Sequence, residues 1–150
     1  FELLWRDYFR FLAEKVGRRL FLAGGLKGEA VAVGQRNPEV IRSWIEGRTG
    51  QAFVDAGMRE LRLTGFLSNR MRQNVASFLV HDLKQDWRVG AEWFESVLVD
   101  YDVCSNWGNW AYLAGVGTDP REGRRFNVQG QAERYDPEGE YRELWGDDVF

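Results

Sequence analysis

A mainly α-helical domain is what this sequence predicts, and three observations lead there. Apolar residues recur at helical spacing in one window after another, no β-rich run interrupts them, and 150 residues is the length of one domain. No internal repeat is present. Leu3, Leu4, Tyr8, Phe11 and Leu12 form the first helical stripe, and Gly17 supplies its stop. Residues 20–37 are glycine-rich without a clear period, which predicts a loop that wraps or covers something. Asn37-Pro38 starts the next helix, to about Glu46, because proline suits a first turn whose N–H groups have no partner anyway. Val54, Met58 and Leu61 make a third stripe that Gly65 ends. Ser68 is placed to N-cap a helix running through Leu83. Gly90–Val99 and Asn106–Leu113 read as two more. From Gly115 to Gly139 glycine, proline and charge dominate, which predicts mostly loop.

Composition narrows the function class. The apolar stretches fall far short of the roughly 20 residues a bilayer span requires, so no membrane partner is expected. Cys104 is the one cysteine, which excludes an internal disulfide and fits a reducing, intracellular compartment. Its thiol, between Asp102 and Asn106, reads as a small buried group. Charge is uneven. Residues 1–72 carry 13 Lys/Arg and 8 Asp/Glu, a balance of +5, whereas residues 73–150 carry 7 and 15, a balance of −8. Seventeen of the 20 cations are arginine, whose planar fork grips phosphate bidentately. The basic half suits nucleic acid; the bland reading is a solvated helix surface.

The densest chemistry lies in Asp100-Tyr-Asp102-Val-Cys-Ser-Asn106-Trp-Gly-Asn-Trp110. Two aspartates at i and i+2 point the same way on extended backbone. Asn106 joins them once a helix begins, with Trp107 and Trp110 on its first turn. Acids, an amide and indoles together suit a flat conjugated ligand with polar edges. A metal is the competing reading of the two aspartates. A calcium loop opening at Asp100 would need an oxygen ligand fifth and glycine sixth, where Cys104 and Ser105 stand. One His and one Cys cannot build a structural zinc site either, so no metal is expected. In the helix from Ser68, Asn69, Arg72, Gln73 and Ala76 lie at i, i+3, i+4 and i+7 and share a face. That polar strip ends in a small residue, which lets a ligand come close. Val75, Phe78 and Leu79 occupy another face and should point to the core. Arg72 is a ready countercharge for Asp100 or Asp102. His81 lies elsewhere on the helix and reads as structural.

Five stretches, "FELLWRDYFRF" (1–11), "EGRTGQAFVDAGMREL" (46–61), "TGFLSNRMRQNVASFLVHDLKQDWRVGAEWFE" (64–95), "GTDPREGRRFN" (117–127) and "YDPEGEYRELW" (135–145), follow one another in an order that has a known counterpart. Together with the aspartate-rich run, they resemble the photolyase/cryptochrome family, most closely its DASH-type cryptochromes. The chain departs from the family after Trp145, where "GDDVF" replaces a W-x-P-E-L continuation. The resemblance implies that residues 1–150 are part of the family's helical FAD-binding domain. The N-terminal α/β domain, which would hold a folate antenna, and the Ser/Thr-rich FAD phosphate loop are then expected upstream of Phe1.

The resemblance also implies roles. Arg6, Asn69, Arg72, Asp100, Asp102 and Asn106 would bind FAD, with Arg72 paired to Asp100 beside the isoalloxazine ring and Asn106 beside flavin N5. Plant cryptochromes carry aspartate at the position of Asn106; the amide points to the photolyase side of the family. Trp110 and then Trp87 would relay electrons to the flavin. The family's third, surface-side tryptophan aligns with Gly34, so that route is broken or uses another aromatic such as Trp44, Trp93 or Trp107. Glu2 and Trp5 would contact a flipped-out pyrimidine dimer and, with Asn69, Arg70 and Tyr112, form the DNA-binding set; Glu2, Trp5 and Asn106 are the catalytic candidates. Tyr112 stands for a second stacking tryptophan, which makes a weaker pocket wall and favours single-stranded substrate. The implied parent is a monomeric, blue-light-dependent lyase of cyclobutane pyrimidine dimers, cytoplasmic in a bacterium or organellar or nuclear in a eukaryote. A light sensor without repair activity, or a truncated chain unable to hold FAD, are the other readings.

Overall fold

The computed structural model describes residues 2–28, 34–119 and 123–146, with Glu2 described by its backbone alone. Helix α1 (Glu2–Val16) stops where Gly17 takes a φ of +55°, and a 3₁₀ turn over Gly17–Phe21 follows. Helix α2 (Pro38–Ile45) is capped by Asn37, whose side chain accepts from the N–H groups of Glu39 and Val40. Helix α3 (Ala52–Thr64) ends on Gly65 at φ +68°, a left-handed C-cap that a β-carbon would strain. Each of these agrees with the sequence reading to within a few residues.

Helix α4 (Asn69–Ser77) begins as expected, with Ser68 Oγ accepting from the Met71 N–H at 3.3 Å. It does not run on to Leu83. Over Phe78–Asp82 the chain widens into a π turn, which lets the N–H groups of Leu83 and Gln85 reach back to the carbonyls of Phe78 and Leu79 at 2.9 and 3.0 Å. Helix α5 (Trp87–Val97) starts three residues earlier than the sequence suggests, because Asp86 caps it by accepting from the Arg88 N–H at 3.0 Å. Helix α6 (Val103–Leu113) also starts early, for the same kind of reason: Asp102 Oδ1 accepts from the Ser105 N–H at 2.8 Å.

Helix α7 (Val128–Tyr135) corrects the expectation of mostly loop between Gly115 and Gly139. Asn127 caps it by accepting from the Gly130 N–H at 3.1 Å. The helix buries only Val128 and Ala132, and that thin stripe is too short to show as a period in the sequence. A short α8 (Glu140–Leu144) follows.

The core forms where α5 and α1 pack on α6 and where α3 packs on α4. Trp44, Val54, Met58, Leu61, Val75 and Leu79 are fully enclosed there. Helix α1 approaches α6 over Gly108, where a Cβ would sit 2.2 Å from Phe9 Cδ1. Phe78, expected in the core with Val75 and Leu79, packs against it half-buried.

Two buried carboxylates tie the loops to this core. Asp86 accepts from Arg36 Nε at 2.9 Å and from Arg88 Nη2 at 2.7 Å. Asp136 accepts from Arg142 Nε at 2.7 Å and from the Tyr141 N–H at 2.9 Å. Burial is the largest single influence on each and pushes its pKa up. The guanidinium and backbone N–H bonds together outweigh burial, so both acids end below the ordinary carboxylate value. A depressed folded-state pKa gives stability that is present above the unfolded value and lost as pH falls through the folded one. The melting temperature is therefore expected to fall steeply between about pH 5 and pH 2. Thermal unfolding of Asp86→Asn across that range should show a shallower fall than the parent; an identical profile would remove Asp86 from the account.

Candidate functional site

A cleft of about 570 Å³ opens between α1, α4 and α6, with Phe94 and Leu98 of α5 in its wall. That volume lies within the range of small-ligand sites. Asn69, Arg72, Gln73 and Ala76, the four residues that helical spacing put on one face of α4, all line it. So do Asp100, Asp102, Asn106 and Trp110 from the aspartate-rich run. The structure thus brings together both sequence clusters.

Asp100 takes the countercharge. Arg72 Nη2 meets its two carboxylate oxygens at 3.0 and 2.9 Å, while Arg72 Nε donates to the Leu67 carbonyl at 2.7 Å. The Asp100 side chain is 49 % exposed, so the pair contributes only about 0–1 kcal/mol to stability. Its effect is positional: the guanidinium is held at the cleft wall and the net charge there is cancelled. Asp102 has extended backbone, φ −130° and ψ 125°, which sets both aspartates toward the same side. One Asp102 oxygen, Oδ1, caps α6, which leaves Oδ2 with its full accepting capacity for a ligand.

Asn106 is buried, and its Nδ2 donates to the Ala91 carbonyl at 3.0 Å. That bond fixes the amide, so Oδ1 is the atom a ligand in the cleft would meet. Trp110 is 3 % exposed and stands edge-on to Phe94 at 5.0 Å. It lies directly over Gly90 of α5, where a Cβ would come within 2.1 Å of its Cη2. Helix α5 must be bare at that point for the indole to reach the cleft.

Aromatic rings form the rim. Trp5 is 45 % exposed and faces Tyr112 at 6.4 Å. Arg124 lies 5.0 Å above the Tyr112 ring and is held by buried Asp119 at 2.9 Å. Arg124 was given no role from the sequence; its only signal there was its place in the "GTDPREGRRFN" stretch. The wall residues Phe66, Phe94 and Phe126 were also missed, since nothing local distinguishes an aromatic in a cleft from one in a core. Arg6 lines the cleft as expected, with a loose ion pair to Asp7 at 3.7 Å. The side chain of Glu2 lies outside the described residues.

Arg70, Trp87, Cys104 and His81 lie outside the cleft lining. Arg70 does not line the cleft: it donates to Gln73 Oε1 at 3.1 Å and lies 5.4 Å over the Tyr135 ring. Trp87 is buried behind the site, with its Nε1 donating to the Ala23 carbonyl at 3.0 Å. Cys104 is half-buried rather than buried, and burial followed by the Asp102 charge pushes its thiol pKa up. His81 Nε2 lies 3.1 Å from the Leu113 carbonyl, a structural tie between the π turn and α6.

Gly34 explains itself locally. Its neighbour Gln35 forms a parallel bridge with Gln85, the Gln35 N–H bonding to Lys84 O at 2.9 Å and the Asp86 N–H to Gln35 O at 2.8 Å. A Cβ at residue 34 would lie 2.3 Å from the Gln85 carbonyl carbon and oxygen. The sequence suggested that Gly34→Trp would supply a missing outer indole. The backbone here leaves no space for it, so the bridge would have to open. The variant is expected to lose about 1–3 kcal/mol in urea unfolding. Unchanged stability would mean that the loop yields freely.

Among the described residues, no group of His, Cys, Asp or Glu is arranged to hold a metal ion, and no helix is long and apolar enough to cross a membrane. The sequence profile described as the FAD binding domain of DNA photolyase matches residues 1–148. Cryptochrome DASH of Xenopus laevis is 62% identical over 97% of this chain, which spans 28% of that protein. The crystal structure of a Synechocystis cryptochrome superposes with a TM-score of 0.92 at 58% identity, over 97% of this chain and 30% of the other. An archaeal photolyase from Sulfolobus tokodaii, solved with two FAD molecules, gives a TM-score of 0.90 at 38% identity, over 99% of this chain and 34% of its own. With the cleft, the paired aspartate and the helical frame all in place, the chain belongs to the photolyase/cryptochrome family, within that family's FAD-binding domain.

Proposed function

We propose that this chain forms the flavin- and lesion-facing part of a blue-light-dependent lyase that splits cyclobutane pyrimidine dimers, with single-stranded DNA preferred. One observation carries the proposal: a single cleft has amide, ion-pair and indole groups along its depth and two aromatic rings at its mouth. Such a cleft takes a flavin below and an extruded base above. Its donor set fits a flavin. Asn106 Oδ1 would hold the N5 proton, the Arg72–Asp100 pair would flank the ring without adding net charge, and the free Asp102 oxygen would accept from the flavin's donor groups. Asn69 and Arg6 complete the set. Reduced flavin, when bound, supplies an electron to the dimer under light and takes it back, so no net redox change results.

The chain's own residues do the binding and orienting. Trp5 and Tyr112 offer π faces to a base taken out of the stack, an extrusion that costs a few kcal/mol and least in single strands. Glu2 is assigned a hydrogen bond to the base, and Asn69 and Arg70 contacts to DNA. A folate-holding α/β domain and an FAD phosphate loop belong to the same proposal, as does a monomeric protein working where its DNA lies, in bacterial cytoplasm or in a eukaryotic organelle or nucleus. Affinity for DNA should fall as salt rises, because phosphate contacts release counterions.

The test is time-resolved. Dimer-containing oligonucleotide should shorten the excited-state lifetime of the reduced flavin, and illumination should restore intact thymines. A light sensor without repair activity would do neither and would change its protease susceptibility under light, which would overturn the repair reading. Asp102→Ala should lower FAD occupancy by removing an acceptor worth about 1–3 kcal/mol. It should also lower stability by about 1 kcal/mol through the lost α6 cap. Absorbance titration with FAD and thermal unfolding separate the two effects; unchanged occupancy in a destabilised variant would leave Asp102 as a cap alone.

A further inference from the structure

Asn109 lines the cleft from α6 and is exposed there. Its Nδ2 donates to the Ser105 carbonyl at 2.8 Å, one turn back on the same helix. A carbonyl can only accept, so the amide turns its NH2 toward the helix and presents Oδ1 to the cleft. Asn106 is fixed in the same way by the Ala91 carbonyl at 3.0 Å. Two amide oxygens therefore stand close to one turn apart on one wall.

Placement gives the upper oxygen its own task. At about 100° per residue, Ser105, Asn106, Asn109, Tyr112 and Leu113 share an arc of α6 with Asn109 at its middle. A rise of about 1.5 Å per residue sets Asn109 about 4.5 Å above Asn106 along the axis and as far below Tyr112. That is the level between the flavin and the rings at the mouth, where the edge of an extruded base comes to rest. The cations that line the cleft, Arg6, Arg72 and Arg124, can only donate. They suit the carbonyl oxygens of a pyrimidine and leave its N–H unanswered. A thymine or uracil ring carries O2, N3–H and O4 along one edge, and a dimer of two such rings carries two N3–H donors. Glu2 answers one of them. The second needs another acceptor, because a donor taken out of water without a partner is penalised.

We infer that Asn109 is a specificity-determining residue of the cleft: its Oδ1 accepts the N3–H of one ring of the dimer, while Glu2 accepts from the other. The inference rests on the reading of the cleft as a site for flavin and an extruded pyrimidine dimer. It selects rings that carry an imide, thymine or uracil, over cytosine. The N3 of cytosine has no hydrogen and would set one lone pair against another. The amide cannot turn over to offer its NH2 instead without giving up the Ser105 carbonyl.

Equilibrium binding in the dark tests this, with the full-length, FAD-loaded protein and single-stranded oligonucleotides that carry a thymine dimer. Two further oligonucleotides have one ring of the dimer, 5′ or 3′, methylated at N3, which removes the donor. The parent should bind each methylated dimer about tenfold more weakly than the unmodified one. In Asn109→Leu one of the two methyl groups should lose its effect, to within about twofold, because the bond it blocks is already gone. The other should keep its effect, and Glu2→Ala should show the reverse pattern. Asn109→Ala repeats the measurement without added bulk. Asn109→Asp keeps an acceptor at the same place and should restore the parental discrimination; comparing dimers within one protein cancels the general effect of the added charge. Flavin absorbance reads FAD occupancy in every variant. Parental effects of both methyl groups in Asn109→Leu and Asn109→Ala would overturn the assignment, and so would FAD occupancy lowered in both, which would put residue 109 against the flavin. A parent that binds dimer-containing and undamaged oligonucleotides alike would instead overturn the reading of the cleft as a lesion site.

Discussion

Trp44→Ala is expected to destabilise this chain by about 3–5 kcal/mol, the range for deleting a buried large aromatic. Trp44 is fully buried. Its ring stacks on Phe94 at 6.4 Å and meets the Trp110 ring edge-on at 6.3 Å. Its Nε1 satisfies the Val75 carbonyl close to where α4 widens into the π turn. Alanine removes all three at once: a large apolar surface, two ring contacts and a buried donor. Phe94 and Trp110 both line the cleft, so the cavity would open behind the site, and flavin affinity should fall along with stability. Trp44→Phe separates the contributions. It keeps most of the packing and loses the hydrogen bond, so its cost should be nearer 1–3 kcal/mol, the penalty for one buried group left unpaired. Urea unfolding of the two variants reads both numbers. A loss below about 1 kcal/mol for alanine would place Trp44 outside the cooperative core.

Trp44 also shows what a sequence leaves unsaid. It was noted there as one of several aromatics that could replace a missing relay, and nothing in its neighbourhood marked it as the hub of the core. Long-range packing decides that, and long-range packing has no local signature. Helical faces, by contrast, were legible. Asn69, Arg72, Gln73 and Ala76 share a face because of the 3.6-residue period alone, and the cleft lies against that face. The countercharge argument reached Arg72 and left Asp100 and Asp102 open; the resemblance pointed to Asp100, and that is the pair formed.

Caps were read unevenly, for a physical reason. Ser68 and Asn37 precede clear apolar stripes and were recognised. Asp86 and Asp102 were not, because Asp102 was read as a ligand contact and Asp86 was given no role. The structure gives both acids two tasks. Asp102 caps α6 and lines the cleft; Asp86 caps α5 and anchors Arg36. Side chains with two roles are where single-motif reasoning stops short. Arg70, which the resemblance put in the DNA-binding set, lies off the cleft with its guanidinium over Tyr135.

Asn106→Asp should add a loss of stability toward neutral pH to the loss toward acid that the parent already shows. The parent loses stability toward acid through Asp86 and Asp136. In the variant, the introduced carboxyl group sits where Asn106 is 9 % exposed and donates to the Ala91 carbonyl. An ionised carboxylate has no hydrogen to give, so two oxygens would face one another across that contact. Burial and the facing carbonyl both favour the protonated acid, which raises its folded-state pKa above the ordinary value of about 3.9. A raised carboxyl pKa means that the unfolded chain releases the proton first. Stability relative to the parent is therefore nearly intact at about pH 4 and lost at about 1.4 kcal/mol per pH unit above it, until the folded-state pKa is reached. At neutral pH the deficit should reach about 3–5 kcal/mol if the group is forced to ionise unpaired. Reduced, anionic flavin adds a like charge at the same place, so its binding should weaken further than that of the oxidised form. Paired unfolding curves for parent and variant from about pH 4 to pH 8 measure the first effect, and FAD titration in each redox state measures the second. A constant offset between the two unfolding curves across that range would mean that residue 106 exchanges its proton with solvent freely, and the amide's orientation toward the cleft would have to be reassigned.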